Sequence, residues 1–192
     1  MEQSKNEVHG NLAGRDVNIT HVGTQRETFM VRLHRKFELE CASSVTFKET
    51  IDALQYFQDS VDMVPMGLQK KLELAGRQMD IPQALRAKEL FAKCIARYSL
   101  SESAQMVIAY CLGKIHELFK ANVSPLIGQG ASAQTIDTTV FTTVIEPVLA
   151  ELDANFLGLM PHELRGMVYY LTGNCFIDWH VVKVEGHVPS SP

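Results

Sequence analysis

One run constrains the fold more than any other. From Ser101 the chain carries Ala104, Val107, Ile108, Cys111, Leu112, Ile115 and Phe119, mostly at spacings of three and four, with no proline until Pro125. Apolar residues recurring at i, i+3, i+4 and i+7 line one side of a 3.6-residue helix. A stripe that long must be buried against partners of the same kind. The rest of the chain supplies them. Phe29, Leu33, Phe37 and Cys41 make an i, i+4 stripe beginning near residue 27. Thr46 and Glu49 form a capping-box pair around Phe47, with Ile51, Leu54 and Phe57 completing the apolar face. Leu68, Leu72 and Ala75 sketch a third helix, with Gly76 near its end. Asp80 is placed to cap a fourth, with Pro82 close to its first turn and Leu85, Leu90, Phe91, Cys94 and Ile95 as its core. A loop over 128–134 precedes a helix over 136–154 that Pro147 kinks or splits. Pro161 and Glu163 then open a last helix through Leu171. The expectation is a mainly α protein, a six- to seven-helix bundle without a solenoid repeat.

The N-terminal segment reads differently. Val8, Leu12, Val17 and Ile19 are punctuated by Gly10, Gly14 and Gly23, with Asn11, Arg15, Asp16 and Asn18 between them. Val17 and Ile19 alternate with polar neighbours, and the glycines mark turns, so residues 6–23 read as a short Gly-rich β-hairpin or arm. An isolated two-stranded hairpin is marginal in water, and its unpaired edges can pair with another copy. Val8, Gly10, Asn11, Leu12, Gly14, Arg15, Asp16, Val17 and Ile19 are therefore candidate oligomerisation residues. The division expected is an arm over 1–26, a helical assembly domain over 27–182 and a flexible tail over 183–192.

Charge limits the partners. The net charge of −4 argues against general nucleic-acid binding through phosphate neutralisation. Residues 70–97 nevertheless hold seven lysines and arginines against three acids. A helix-turn-helix placed there would use Arg86, Lys93 and Arg97 as readers, so a small phage or prophage DNA-binding regulator is the alternative reading. The N-terminus has no apolar h-region and no stretch is long enough to cross a bilayer, which reads as a cytoplasmic protein.

Catalysis and metal binding find little footing. Cys41, Cys94, Cys111 and Cys175 are far apart, without a C-x-x-C pair. His116 follows Cys111 by five residues and His180 follows Cys175 by five, which matches no zinc-finger spacing. Cys175 is the best nucleophile candidate, with His162, Asp178 and His180 nearby in sequence, but it sits beside Phe176 and Ile177 in an apolar setting. No catalytic residue, metal or cofactor is expected, and the chain reads as non-enzymatic.

The most distinctive block is Pro161 to Trp179, ending Tyr169-Tyr170-Leu171-Thr172-Gly173-Asn174-Cys175-Phe176-Ile177-Asp178-Trp179 with the only tryptophan. Tyr169, Tyr170, Thr172, Asn174 and Trp179 are candidate partner-binding residues, since aromatics dominate interface hot spots. The block resembles the ending of the C-terminal assembly domains of bacterial ABC-three-component conflict systems, the Lamassu-like anti-phage systems. The Gly-rich run from Val8 to Val17 is similar to a segment that can precede such domains. The resemblance implies an all-helical domain that couples an effector to a middle component and an SMC-like ABC ATPase. With residues 1–26 too short for an enzyme, it implies a stand-alone, homo-oligomeric adaptor in such a system, or a competitor for its docking surface.

Overall fold

The computed structural model describes residues 28–43, 47, 49–60, 66–152 and 156–180, and among these there is no strand. The helices are α1 (Phe29–Ala42), α2 (Asp52–Gln58), α3 (Leu68–Leu74), α4 (Ile81–Arg97), α5 (Glu102–Asn122), α6 (Ser124–Gly128), α7 (Ala133–Thr139), α8 (Glu146–Glu151) and α9 (Pro161–Gly173). The mainly α bundle expected from periodicity is what the chain forms. The arm expected over 6–23, with every oligomerisation candidate from Val8 to Ile19, lies outside the described residues, as does the tail over 183–192.

The long stripe becomes the axle. Ala104, Val107, Ile108, Cys111, Leu112 and Ile115 of α5 are wholly buried, and α1, α2, α6, α8 and α9 all pack on this helix. Ser101 caps it, its Oγ accepting from the Ala104 amide at 3.1 Å. The same hydroxyl donates to Glu40 of α1 at 2.6 Å, and the Ser103 hydroxyl donates to that carboxylate at 2.8 Å. An acid from another helix thus sits over the amide end of α5, where the backbone dipole favours negative charge.

Several local expectations fail for identifiable reasons. α2 begins at Asp52 rather than at Thr46, which lies outside the described residues. The side chain of Gln105, buried in α5, holds the approach extended: its Oε1 accepts from the Ile51 amide at 2.9 Å. Its Nε2 donates to the carbonyls of Glu49 and Ser99 at 2.9 and 2.8 Å. Asp80 stands at the N-cap of α4, as expected, but its side chain makes no cap; a 3₁₀ turn, Gln78–Asp80, runs straight into the helix, and the carboxylate accepts from Arg77 Nε at 2.8 Å. On α4 it is Ala84, Phe91 and Cys94 that are buried, while Leu85 and Leu90 lie outside. On α1, Met30 and Leu33 carry the burial, leaving Phe29 and Cys41 exposed. The helix that carries Pro147 is divided in two, and the proline stands in the first turn of the second piece. The backbone widens into a π segment, Val140–Ile145, joining α7 to α8, which accommodates a residue without an amide hydrogen.

The most extensive helix pairing is α4 on α9, and one glycine permits it. A Cβ at Gly166 would stand 2.7 Å from the Ala87 carbonyl oxygen and 3.1 Å from Phe91 Cβ. Helix propensity favours alanine over glycine by about 1 kcal/mol, but forcing these backbones apart costs about 1–3 kcal/mol. Gly166→Ala is therefore expected to destabilise by up to about 2 kcal/mol in urea unfolding, against the gain of about 1 kcal/mol that propensity alone gives.

Candidate functional site

The aromatic block ends α9 and then folds back on the bundle. The helix closes in a Schellman arrangement: the Phe176 amide donates to the Leu171 carbonyl at 2.9 Å and the Cys175 amide to the Thr172 carbonyl at 3.2 Å. The left-handed residue is not a glycine but Cys175, at φ 66°. A non-glycine residue there stores on the order of 1 kcal/mol of strain. Asn174 holds the turn from the side, its Nδ2 donating to the Phe57 carbonyl of α2 at 2.9 Å.

Trp179 then plugs into the core, 5% exposed. Its indole N–H donates to Thr172 Oγ1 at 2.9 Å, and that hydroxyl donates onward to the Val168 carbonyl at 2.8 Å. The ring stacks on Tyr169, with centroids 6.1 Å apart, and meets Phe119 of α5 edge-on at 5.3 Å. These contacts satisfy both the apolar body and the polar tip of tryptophan.

Two buried cations complete the clamp. Lys71 of α3 is 2% exposed, and its Nζ contacts Asp178 Oδ1 at 2.6 Å and the Ile177 carbonyl at 3.2 Å. Arg77 follows Gly76, which takes φ 69° at the end of α3. The Arg77 Cζ lies 4.7 Å from the Trp179 ring centroid, and its Nη2 bonds Asp137 of α7 at 2.5 Å. Burial works to lower the Arg77 pKa, but the carboxylates of Asp137 and Asp80 outweigh it and the net shift is upward. Its Nη1 is buried without a hydrogen-bond partner among the described residues. The indole face supplies part of the missing stabilisation.

The partner-binding candidates thus separate. Tyr169, Thr172 and Trp179 are buried inside the chain, so the clamp, not a partner surface, is what these side chains build in this fold. Burial pushes the phenols of Tyr169 and Tyr170 up in pKa, which keeps both neutral. Tyr170 is half-buried against Phe91, edge-on at 5.2 Å, and Asn174 is half-buried beside it. Both remain near the surface.

The basic segment separates too. Lys71 and Arg77 face inward, whereas Arg86, Lys93 and Arg97 share the exposed face of α4. Lys93 is answered there by Glu89 at 2.7 Å. The half-buried Lys88 ammonium lies against Gly173 at the carbonyl end of α9, and burial lowers its pKa. Of the nucleophile candidate and its neighbours in sequence, Cys175 Sγ contacts the Met66 carbonyl at 3.8 Å and interacts electrostatically with Lys88, while His162 pairs with Glu163 at 2.7 Å in the first turn of α9. Burial drives the Cys111 thiol up to about 12. Among the described residues no group of three or more acids, cysteines and histidines could hold a metal. No helix among them is long and apolar enough to cross a membrane.

Lys71 and Arg77 carry the clamp yet stand out in the sequence only as part of a basic run. One signal marks Lys71: it lies three residues after Leu68 and four before Ala75, on the apolar stripe of α3 rather than opposite it.

The clamp also frames the comparison with known proteins. No curated protein and no solved structure matches the chain. Residues 67–179 match the family described as C-terminal domain 9 of the ABC-three component systems. The match starts at Gly67, the residue ahead of α3, and ends on Trp179, so it contains both cations and the plug they hold, while α1 and α2 precede it. The chain, matched over more than half its length, belongs to this family of ABC-three component C-terminal domains.

Proposed function

We propose that the protein is a non-enzymatic, self-associating adaptor that docks to protein partners in a bacterial anti-phage conflict system, the ABC ATPase component being the expected partner. The observation that carries this reading is the family match over 67–179, a domain of a multi-component system. The geometry is consistent with it. Trp179, Tyr169, Lys71 and Arg77 stiffen one end of the bundle, and Tyr170 and Asn174 lie at the edge of that rigid platform. A preorganised surface of this kind loses little freedom when a partner binds.

Self-association is assigned to residues 1–26. Light scattering after size exclusion is expected to give a multiple of the 21.5 kDa chain mass, and removal of residues 1–25 is expected to lower that multiple while leaving the helical dichroism intact. An unchanged mass would remove the arm from the assembly. The alternative, DNA reading by α4, draws support from the shared exposed face of Arg86, Lys93 and Arg97. It requires salt-sensitive DNA binding that weakens when the three are neutralised together.

A further inference from the structure

The turn that carries Trp179 also forms a wall of a half-open cleft of about 310 Å3, bordered by the end of α5 and by α6. Its apolar lining includes Phe119, 1% exposed, Ile127, 8% exposed, and the half-buried Phe176, whose ring meets His116 edge-on at 5.8 Å. The polar lining holds the Lys120 ammonium, the Ser124 hydroxyl and the imidazoles of His116 and His180, each of which can donate a hydrogen bond. Asp178 is the one carboxylate in that lining, and it is already bound by the buried Lys71 at 2.6 Å. His116 has Glu117 at 3.5 Å from its Nδ1. Lys120 is exposed and has no ion-pair partner among the described residues, and His180 Nδ1 is buried without a hydrogen-bond partner among them.

Charge complementarity decides what suits such a cleft. A cationic ligand would meet Lys120 with Asp178 already neutralised, and a purely apolar one would leave the donors unanswered. A carboxylate beside an apolar side chain answers both, and the volume is of the size that holds a ligand of that scale. We propose that this cleft is a docking pocket for an acidic segment of a partner protein, its carboxylate received by His116, Lys120 and His180 and its neighbouring apolar side chain by Phe119, Ile127 and Phe176. The proposal rests on the partner-docking reading above and names the chemistry of the contact.

The test is a titration of the isotopically labelled full chain, followed by amide NMR shifts, with N-acetyl-glutamyl-leucine amide. The glutaminyl analogue serves as the uncharged isostere. The expected result is saturable shifts confined to residues 116–128 and 176–180, about fivefold weaker for the glutaminyl probe. Lys120→Gln, at an exposed position, is expected to weaken the acidic probe to a similar extent without moving the melting temperature. Equal affinity for both probes, shifts elsewhere, or indifference to Lys120→Gln would overturn the assignment. If the acidic probe fails while the chain still co-elutes with a component of its system, the cleft is wrong and the docking reading stands. A component that co-elutes with the native chain but is lost from the Lys120→Gln chain would tie the two together.

Discussion

Replacing Trp179 by alanine is expected to remove about 3–5 kcal/mol of stability, the range for truncating a large buried aromatic. The ring is held from three sides, by Tyr169, Phe119 and Arg77. Truncation would also leave the Arg77 guanidinium over an empty space, with Nη1 already lacking a hydrogen bond. For a chain of 192 residues the melting temperature is expected to fall by on the order of 10 °C. Trp179→Phe keeps part of the ring packing and loses the indole N–H together with the volume of the second ring; Thr172 Oγ1 still donates to the Val168 carbonyl. Its cost is expected to be nearer 1–2 kcal/mol. Urea unfolding of the two variants grades the loss by how much of the ring is removed. A loss below about 1 kcal/mol for the alanine variant would mean that the block does not close the core.

Gln105→Leu is the second large effect expected, at about 3 kcal/mol. Leucine fits the volume and favours the helix, so hydrophobicity alone argues for a gain. The decisive term is what it leaves behind: an amide at Ile51 and carbonyls at Glu49 and Ser99 that lose their partner. Each group left unsatisfied in a buried place costs about 1–3 kcal/mol, and water reaching the partly buried ones recovers some of it. Gln105→Glu keeps the acceptor for Ile51 but turns a carboxylate oxygen toward two carbonyls, so it is expected to be no better than leucine. Hydrogen exchange gives a local readout: faster exchange at Ile51 and along α2, relative to α9, is expected in both variants. A leucine variant as stable as the native chain would show that the approach to α2 is held by packing instead.

The sequence displays periodicity well and exceptions poorly. α5 and α9 were legible because apolar spacing and caps such as Ser101 and Glu163 agree. The burial faces of α1 and α4 were legible only in part, Leu33, Phe91 and Cys94 being buried as expected, because their apolar residues outnumber the positions the core can take. Leu85 and Leu90 compete with Ala84 and Phe91, and the core takes the latter pair, with the close approach at Gly166 falling on Ala87 and Phe91. The Schellman turn at Cys175 was hidden for a different reason: Gly173 and Asn174 are the residues that ordinarily end a helix, yet the left-handed position falls one residue later. The clamp was half visible. Its aromatic part stood out as a block, while its cations, Lys71 and Arg77, looked like surface charge until the fold placed Asp178, Asp137 and the indole beside them.

Under the proposed function, the protein works by binding a protein partner of its own system. The most direct measurement is light scattering coupled to size exclusion on the full chain mixed with the ABC ATPase component of that system. The expected result is a single complex whose mass equals the sum of the two parts in a whole-number ratio. Two components eluting at their separate masses, at concentrations well above micromolar, would contradict it.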